Sequence, residues 1–279
     1  MELANTTISP RKSLFDLQFK EIWNYRDLLV LFIKRDITVT YKQTIMGPLW
    51  FFIQPMLTTA MFLLVFGKIA GISTGGVPPV LFYMGGITIW NYFSESLRQT
   101  SDTFVKNSGL FGKVYFTRIV TPLSVVASNL VKFLIQLCLF LIVYFYYIFT
   151  GSAVHPNFTL LFLPIYVLII ALLALSFGLV ISAMTTKYRD LTFLIQFGIQ
   201  LWMYVTPVIY PVSEIPAKYR GLVMANPVSP IVEAFKYSFT GLGSFSISGI
   251  FYSSIFSVVL FFVGLAIFNR TEKTFMDTV

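Results

Sequence analysis

Residues Lys34–Pro55 read KRDITVTYKQTIMGPLWFFIQP. The stretch opens with charge at Lys34, Arg35 and Asp36, passes through a short polar collar ending near Lys42, and turns apolar at Gly47-Pro48. From there no charged residue occurs until Lys68. A domain folded in water has no use for that change. A chain passing into a bilayer does, because charge stays with water and headgroups while the next residues supply apolar surface for a first span. The chain before this stretch reads as a cytoplasmic apron, and the chain after it as apolar runs cut by short charged loops.

Composition points the same way. Of 279 residues, 56% are hydrophobic and 11% charged, with a mean hydropathy of +0.78. Soluble domains carry about a quarter charged residues, so the expected class is an all-α membrane protein. Spans of about 20 residues are predicted near Gly47–Phe66, Val80–Leu97, Val120–Phe149, Phe158–Met184, Leu191–Tyr210 and Ile247–Phe268. The third and fourth exceed the requirement and are expected to tilt or project. Six spans place both termini on one side. Fifteen of the 20 Lys and Arg residues fall before the first span, in the second and fourth loops, or in the tail. Only Lys68, Lys218, Arg220 and Lys236 fall on the other side, so both termini are expected in the cytoplasm. The net charge of +8 then belongs to topology and anionic lipid headgroups, and no nucleic-acid partner is expected.

The chain divides accordingly into a cytoplasmic N-terminus at 1–45, a transmembrane domain at 46–268 and a cytoplasmic tail at 269–279. Within the N-terminus, Ser13 to about Arg35 reads as an amphipathic helix. Ser13-Leu14-Phe15-Asp16 fits a capping box, and Phe15, Phe19, Ile22 and Trp23 oppose Asp16, Lys20, Glu21, Asn24 and Asp27. Such a helix lies in the membrane surface or packs on the protein's own cytoplasmic side. The first apolar run, Leu28–Ile33, is too short for a signal-peptide core and is hemmed by Asp27 and Lys34, so no cleaved signal is expected.

The loop at 211–246 is long for an external segment and not polar enough to be free. Ser213 is placed to cap a short helix ending before Asn226-Pro227. Beyond that break, Val228, Ile231, Val232, Phe235 and Phe239 recur at helical spacing. A pair of short helices broken by proline either re-enters the outer half of the membrane, where protein must cover the backbone, or rests on its surface.

Catalytic sets are lacking. His155 is the single histidine and Cys138 the single cysteine, which leaves no disulfide framework, thiolate metal site or HExxH pair. Gly67-Lys68 and Gly112-Lys113 resemble the end of a phosphate-binding loop, but Phe62 and Asn107 stand where its first glycine belongs. No metal and no cofactor are expected in this chain, and transport work would draw on a partner or a gradient.

Several motifs bear a family resemblance. Arg35-Asp36-Ile37, Tyr41-Lys42-Gln43-Thr44, Gly47-Pro48-Leu49-Trp50 and Gln54-Pro55 resemble the start of the permease subunits of polysaccharide-exporting ABC transporters, which move O-antigen, capsule or teichoic-acid chains across the bacterial inner membrane. Trp90-Asn91-Tyr92-Phe93-Ser94, Asn107, Leu110, Lys113-Val114-Tyr115-Phe116, Arg118, Pro122, Tyr188-Arg189-Asp190-Leu191, Thr206-Pro207-Val208-Ile209-Tyr210 and Asn226-Pro227 continue it in the family's order. Thr40 and Thr117 depart from it, standing where the family usually has a basic residue and a proline.

The resemblance implies a homodimer working with two copies of a cytosolic ABC ATPase that carries the ATP and Mg. It implies an N-terminal interface helix, a coupling helix in the loop at 98–118, and paired external helices at 211–246 that gate the exit. On this reading Asn107, Leu110, Phe111 and Lys113 are the expected ATPase contacts. The substrate, an undecaprenyl-diphosphate-linked polysaccharide with O-antigen foremost, needs cations at its cytoplasmic entrance, and Arg35, Lys42, Arg118 and Arg189 are the candidates. Tyr92, Phe93, Trp202 and Tyr204 are the expected channel aromatics. Glu95 and Lys132 are the charges least suited to lipid. Glu95 is expected to bond Arg98, with Lys132 either reaching toward Glu95 or facing the channel. The alternatives are an ABC permease for a drug, lipid or ion, and a gradient-driven carrier. The latter usually shows internal repeats and ion-coordinating groups near the midplane, and neither is found in the sequence.

Overall fold

The computed structural model describes residues 19–42, 46–114, 116–188 and 190–278, and every regular element among them is helical. The N-terminal helix is present as α1 (Phe19–Asn24) and α2 (Arg26–Tyr41), hinged at Tyr25 and running past its predicted end. Ser13, Phe15 and Asp16 lie outside the described residues, as do the side chains of Phe19 and Lys20. Ile22, Tyr25, Leu28, Leu29 and Phe32 pack inward. Trp23, expected beside Ile22, is 70% exposed, because successive residues diverge by about 100° around a helix. The inward face lies along α6 (Val120–Phe149), so this helix rests on the protein's own bundle.

The first span is α3 (Trp50–Phe62), which widens into a π-helix over Leu63–Ile69. The second predicted span is α4 (Pro79–Ser101), followed by the short α5 (Thr103–Phe111). After α6 come α7 (Leu163–Lys187), α8 (Leu191–Val205), α9 (Ala217–Ala225), α10 (Ser229–Thr240) and α11 (Ile247–Thr278). The tail predicted from residue 269 continues α11 as helix to Thr278.

Among the described residues, four helical stretches are long and apolar enough to cross a membrane: Trp50–Ile69, Val120–Phe149, Phe158–Lys187 and Ile247–Glu272. The other two predicted spans differ from these for opposite reasons. Helix α4 has the length but carries Asn91, Glu95, Arg98 and Gln99. It can do so because 16 of its 23 residues are buried, shielded by α3, α6, α7, α8 and α10. Helix α8 is apolar but has only 15 residues, about 22 Å of helix against a core of about 30 Å. The run predicted to reach Tyr210 stops at Thr206, whose extended backbone is what a following proline imposes.

Close helix approach is set by small residues, as usual between spans. A Cβ at Gly178 of α7 would collide with Thr100 of α4, and one at Gly264 of α11 would stand 2.9 Å from the Ser176 carbonyl of α7. Thr185 seals the first contact by donating to the Ser101 carbonyl at 2.8 Å. On the N-terminal half of α4, a Cβ at Gly86 would lie 2.8 Å from the Val208 carbonyl, so the chain beyond α8 is seated against the helix.

Of the predicted external pair, α10 alone is buried. Val228, Ile231, Val232, Phe235 and Phe239 are all inside, packed on α4, α7 and α11 and against Phe140 and Tyr144 of α6. Helix α9 buries nothing. It starts after Pro216 rather than at Ser213, which sits in a separate 3₁₀ turn, Val212–Glu214. Because backbone at Val208 cannot yield cheaply, Gly86→Ala should cost about 1–3 kcal/mol and lower the unfolding temperature in detergent. Gly198→Ala, where a Cβ meets open space, should leave it unchanged.

Candidate functional site

Three polar features stand out in this apolar bundle. The first is a cavity of about 410 Å³ between α3, α4 and α6. Antiparallel register of α4 and α6 builds it: Asn91 donates to Gln136 at 3.4 Å, and Asn129 donates to Gln99 at 3.4 Å. Glu95 and Lys132 lie between these two rungs. Glu95 is held by Arg98 through two bonds of 2.6 and 2.9 Å and also accepts from Gln99. Lys132 lines the same cavity and makes no ion pair or hydrogen bond with the described residues.

Of the four expected channel aromatics, Tyr92 alone lines this cavity, beside Phe133 at a ring distance of 5.2 Å. Phe93 is fully buried with its ring edge-on to Trp202 at 5.2 Å, and Trp202 meets Phe177 at 5.0 Å. These rings fasten α8 to α4 and α7, a packing role in this arrangement. Tyr204 is exposed at the end of α8.

The second feature is the end of the bundle that carries α5. Phe111, expected to dock outward, is 4% exposed and packs on Phe104 and Phe116. The Arg118 guanidinium lies over its ring at 5.4 Å. Burial makes Phe111 the anchor of α5 rather than its contact surface. Leu110 is half-buried and Lys113 exposed, while Asn107 turns back to the Thr103 carbonyl. Lys106 pairs with Asp102 at 3.0 Å. Two further ties fix the surroundings: Phe104 stacks on Phe268 of α11, and Thr117 donates to Glu21 at 2.6 Å. The second tie uses the hydroxyl that a proline at this position would lack, and it draws Glu21 away from the solvent face expected for it.

Of the four expected entrance cations, the three described each have their own surroundings. Arg118 is 12% exposed and bonds the carbonyl of Glu272 at 2.9 Å, with the Glu272 carboxylate at 3.9 Å. Arg35 pairs with Asp36 at 2.8 Å and covers the Phe32 ring. Lys42 is exposed at the end of α2, and Arg189 lies outside the described residues.

The third feature, at the end of the bundle that carries α10, includes a pair not singled out from the sequence. Glu233 and Lys236 of α10 form a buried ion pair at 2.6 Å. Lys236 also donates to the Pro207 carbonyl at 2.7 Å and sits over the Phe82 ring. The legible signal is opposite charge at i, i+3 on a helix with an otherwise apolar face of Ile231, Val232, Phe235 and Phe239. Asn226 donates to Thr206 at 2.9 Å, so the two proline motifs, 20 residues apart, meet side chain to side chain. A cavity of about 460 Å³ opens beside the ion pair.

Nothing catalytic is gathered at these places. Gly71-Ile72-Ser73-Thr74-Gly75 has G-x-S-x-G spacing, but a nucleophile elbow needs a strand before it and a helix after it. Here the segment is an irregular loop, and the Ser73 hydroxyl accepts from the Gly75 N–H. Among the described residues no group of His, Cys, Asp and Glu is placed to hold a metal.

A buried polar helix at the centre, small-residue contacts and a short helix tied to the bundle suit a chain built to sit in a membrane. Residues 27–240 match the family model described as ABC-2 type transporter. The chain belongs to that family. It is 27% identical over 253 residues to the O-antigen export system permease protein RfbA of Klebsiella pneumoniae, covering 90% of this chain and 94% of that protein. The Myxococcus xanthus protein of the same name is 27% identical over 262 residues, covering 93% and 98%. The polysialic acid transport protein KpsM of Escherichia coli is 22% identical, covering 88% and 93%.

Within this family member, Arg118 ties the second loop to the end of α11. Arg118→Ala should cost about 1.5–3 kcal/mol, the range for a charged hydrogen bond, and should speed proteolysis of the helix end beyond residue 269. Glu272→Gln, which keeps the carbonyl acceptor, should have the smaller effect.

Proposed function

We propose that this chain is the membrane permease of an ATP-driven exporter of lipid-linked polysaccharide, with O-antigen as the foremost cargo class. Near end-to-end similarity to the O-antigen export permeases carries this reading. In it, α3, α4, α6, α7, α8 and α11 are the six spans, with α8 completed by the seated segment Thr206–Tyr210. Both termini face the cytoplasm, in the bacterial inner membrane. Two copies of the chain work with two copies of a separate ABC ATPase that binds ATP and Mg. The cargo is a polysaccharide on undecaprenyl diphosphate.

The cytoplasmic end supports such a division of labour. Helix α5 comes one residue after α4, and that residue, Asp102, is itself buried and paired. Phe104 and Phe111 root α5 in the bundle, so force applied to its exposed side passes to α4 with little slack. Leu110, Lys113 and Asn107 lie on or beside that side and are the proposed ATPase contact. Helices α9 and α10 are the proposed exit elements, with α10 as the fixed member and α9 as the one lying outside.

Co-purification with the partner ATPase, then ATP hydrolysis in nanodiscs with lipid-linked O-antigen, tests the reading. Hydrolysis should rise with the glycan and not with undecaprenol. Leu110→Asp combined with Lys113→Glu should reduce ATPase capture by about tenfold or more, as loss of a few anchor contacts does at an interface. The variant chain should remain folded because neither residue is in the core. Unchanged capture and unchanged glycan export would remove α5 from the contact.

A further inference from the structure

We propose that the cavity between α3, α4 and α6 binds a phosphoryl group of a membrane lipid through Lys132, a reading that rests on the proposed function only for the identity of the cargo lipid. The charges on its wall are Glu95, Arg98 and Lys132. Glu95 is consumed by Arg98 and Gln99. Asp36, the other carboxylate whose field reaches Lys132, is paired with Arg35. The remaining unsatisfied charge is therefore the Lys132 ammonium.

A cation left unpaired within a span is costly and marks a ligand pathway more often than a structural need. A second, independent observation comes from Asn129. Its Oδ1 is buried without a hydrogen-bond partner, in a residue that is 1% exposed and lines the same cavity. Buried polar atoms are rarely left so. The ammonium suits an anionic phosphate oxygen, and the Asn129 amide oxygen accepts from a water that such an anion holds beside it.

Depth and volume fit the same ligand class. Glu95, level with Lys132, lies six residues before the inner end of α4, about 9 Å along the helix. That places the cavity within reach of lipid headgroups for a lysine on its four-carbon stem. About 410 Å³ holds a phosphate or diphosphate together with several waters of about 30 Å³ each. The ligand has two possible sources, the diphosphate of a prenyl-linked cargo and the phosphate of a bilayer phospholipid.

Native mass spectrometry of the full-length chain in detergent, titrated with undecaprenyl diphosphate, undecaprenol and phosphatidylglycerol, separates them. The diphosphate should bind and undecaprenol should not. Lys132→Met should weaken diphosphate binding by about tenfold or more, the worth of a charge-assisted bond. Lys132→Arg should retain it, and Lys68→Met, at an exposed lysine, should leave it unchanged. Gln136→Glu adds a carboxylate to the same wall while keeping Lys132, and should weaken binding in the same direction if Lys132→Met fails to fold. Phosphatidylglycerol binding with equal dependence on Lys132 would support the site and assign it to bilayer lipid. Unchanged affinity in folded Lys132→Met, or equal binding of undecaprenol, would overturn it. Lys132-dependent phosphate binding in a chain whose partner ATPase ignores lipid-linked glycan would leave the site standing and sink the exporter reading alone.

Discussion

Backbone that leaves the helix at Thr206-Pro207 and again at Asn226-Pro227 has to find partners inside the bundle, because proline removes donors and the surroundings supply little water. Side chains do this job. Thr206 bonds back to the Trp202 carbonyl at 2.9 Å and receives Asn226 on the same hydroxyl. The Pro207 carbonyl takes Lys236, and the Pro227 carbonyl takes Ser253 of α11 at 2.7 Å. Asn226 also caps the N–H of Val228 at 3.1 Å. One cross-braced knot thus fixes where α8 stops, where α10 starts, and how α11 is oriented. Lys236 can serve in it because Glu233 neutralises its charge next door.

The knot is seated on α4, and α4 joins the two polar cavities. Phe82 and Gly85 border the one beside α10, Asn91 to Arg98 border the one between α3, α4 and α6, and Asp102 hands the chain to α5. A helix so polar is stable in a membrane protein only at the centre of a bundle, where other helices meet the lipid in its place. The small residues at Gly86, Gly178 and Gly264 therefore do more than allow close contact. Gly178 lets α7 close on α4, Gly86 seats the segment after α8 on it, and Gly264 lets α11 close on α7 in turn, so that the polar side chains of α4 meet each other and the cavity instead of hydrocarbon.

Much of this was legible because lipid imposes a coarse code. Apolar runs such as Val120–Phe149 were readable to the residue, since a span has to be apolar for its whole length. The α10 register was readable too, since Val228, Ile231, Val232, Phe235 and Phe239 repeat with the helix. Sequence alone does not separate the faces a residue can show when both surroundings are apolar. Phe93, Phe111 and Trp202 are equally plausible in a channel, a docking surface or a core, and only packing separates them. Arg118 misled in another way: a boundary arginine reads as free, while its partner at Glu272 lies 154 residues away. The end of α8 was missed because Val205 to Tyr210 stays apolar, and hydropathy is blind to the proline that ends the helix.

The buried pair on α10 sets the standard by which Lys132 is unusual. In the same fold, Lys236 receives a carboxylate, a carbonyl and an aromatic face, the full set that a buried ammonium requires. Arg98 receives a bidentate carboxylate, and Arg118 a carbonyl and a ring. Lys132 shares a cavity with a carboxylate already spent on Arg98, and with an amide oxygen that no donor reaches. A sequence free to place leucine at position 132 would gain apolar contact and avoid the cost of the charge. Retaining lysine there makes physical sense when something negative comes to it.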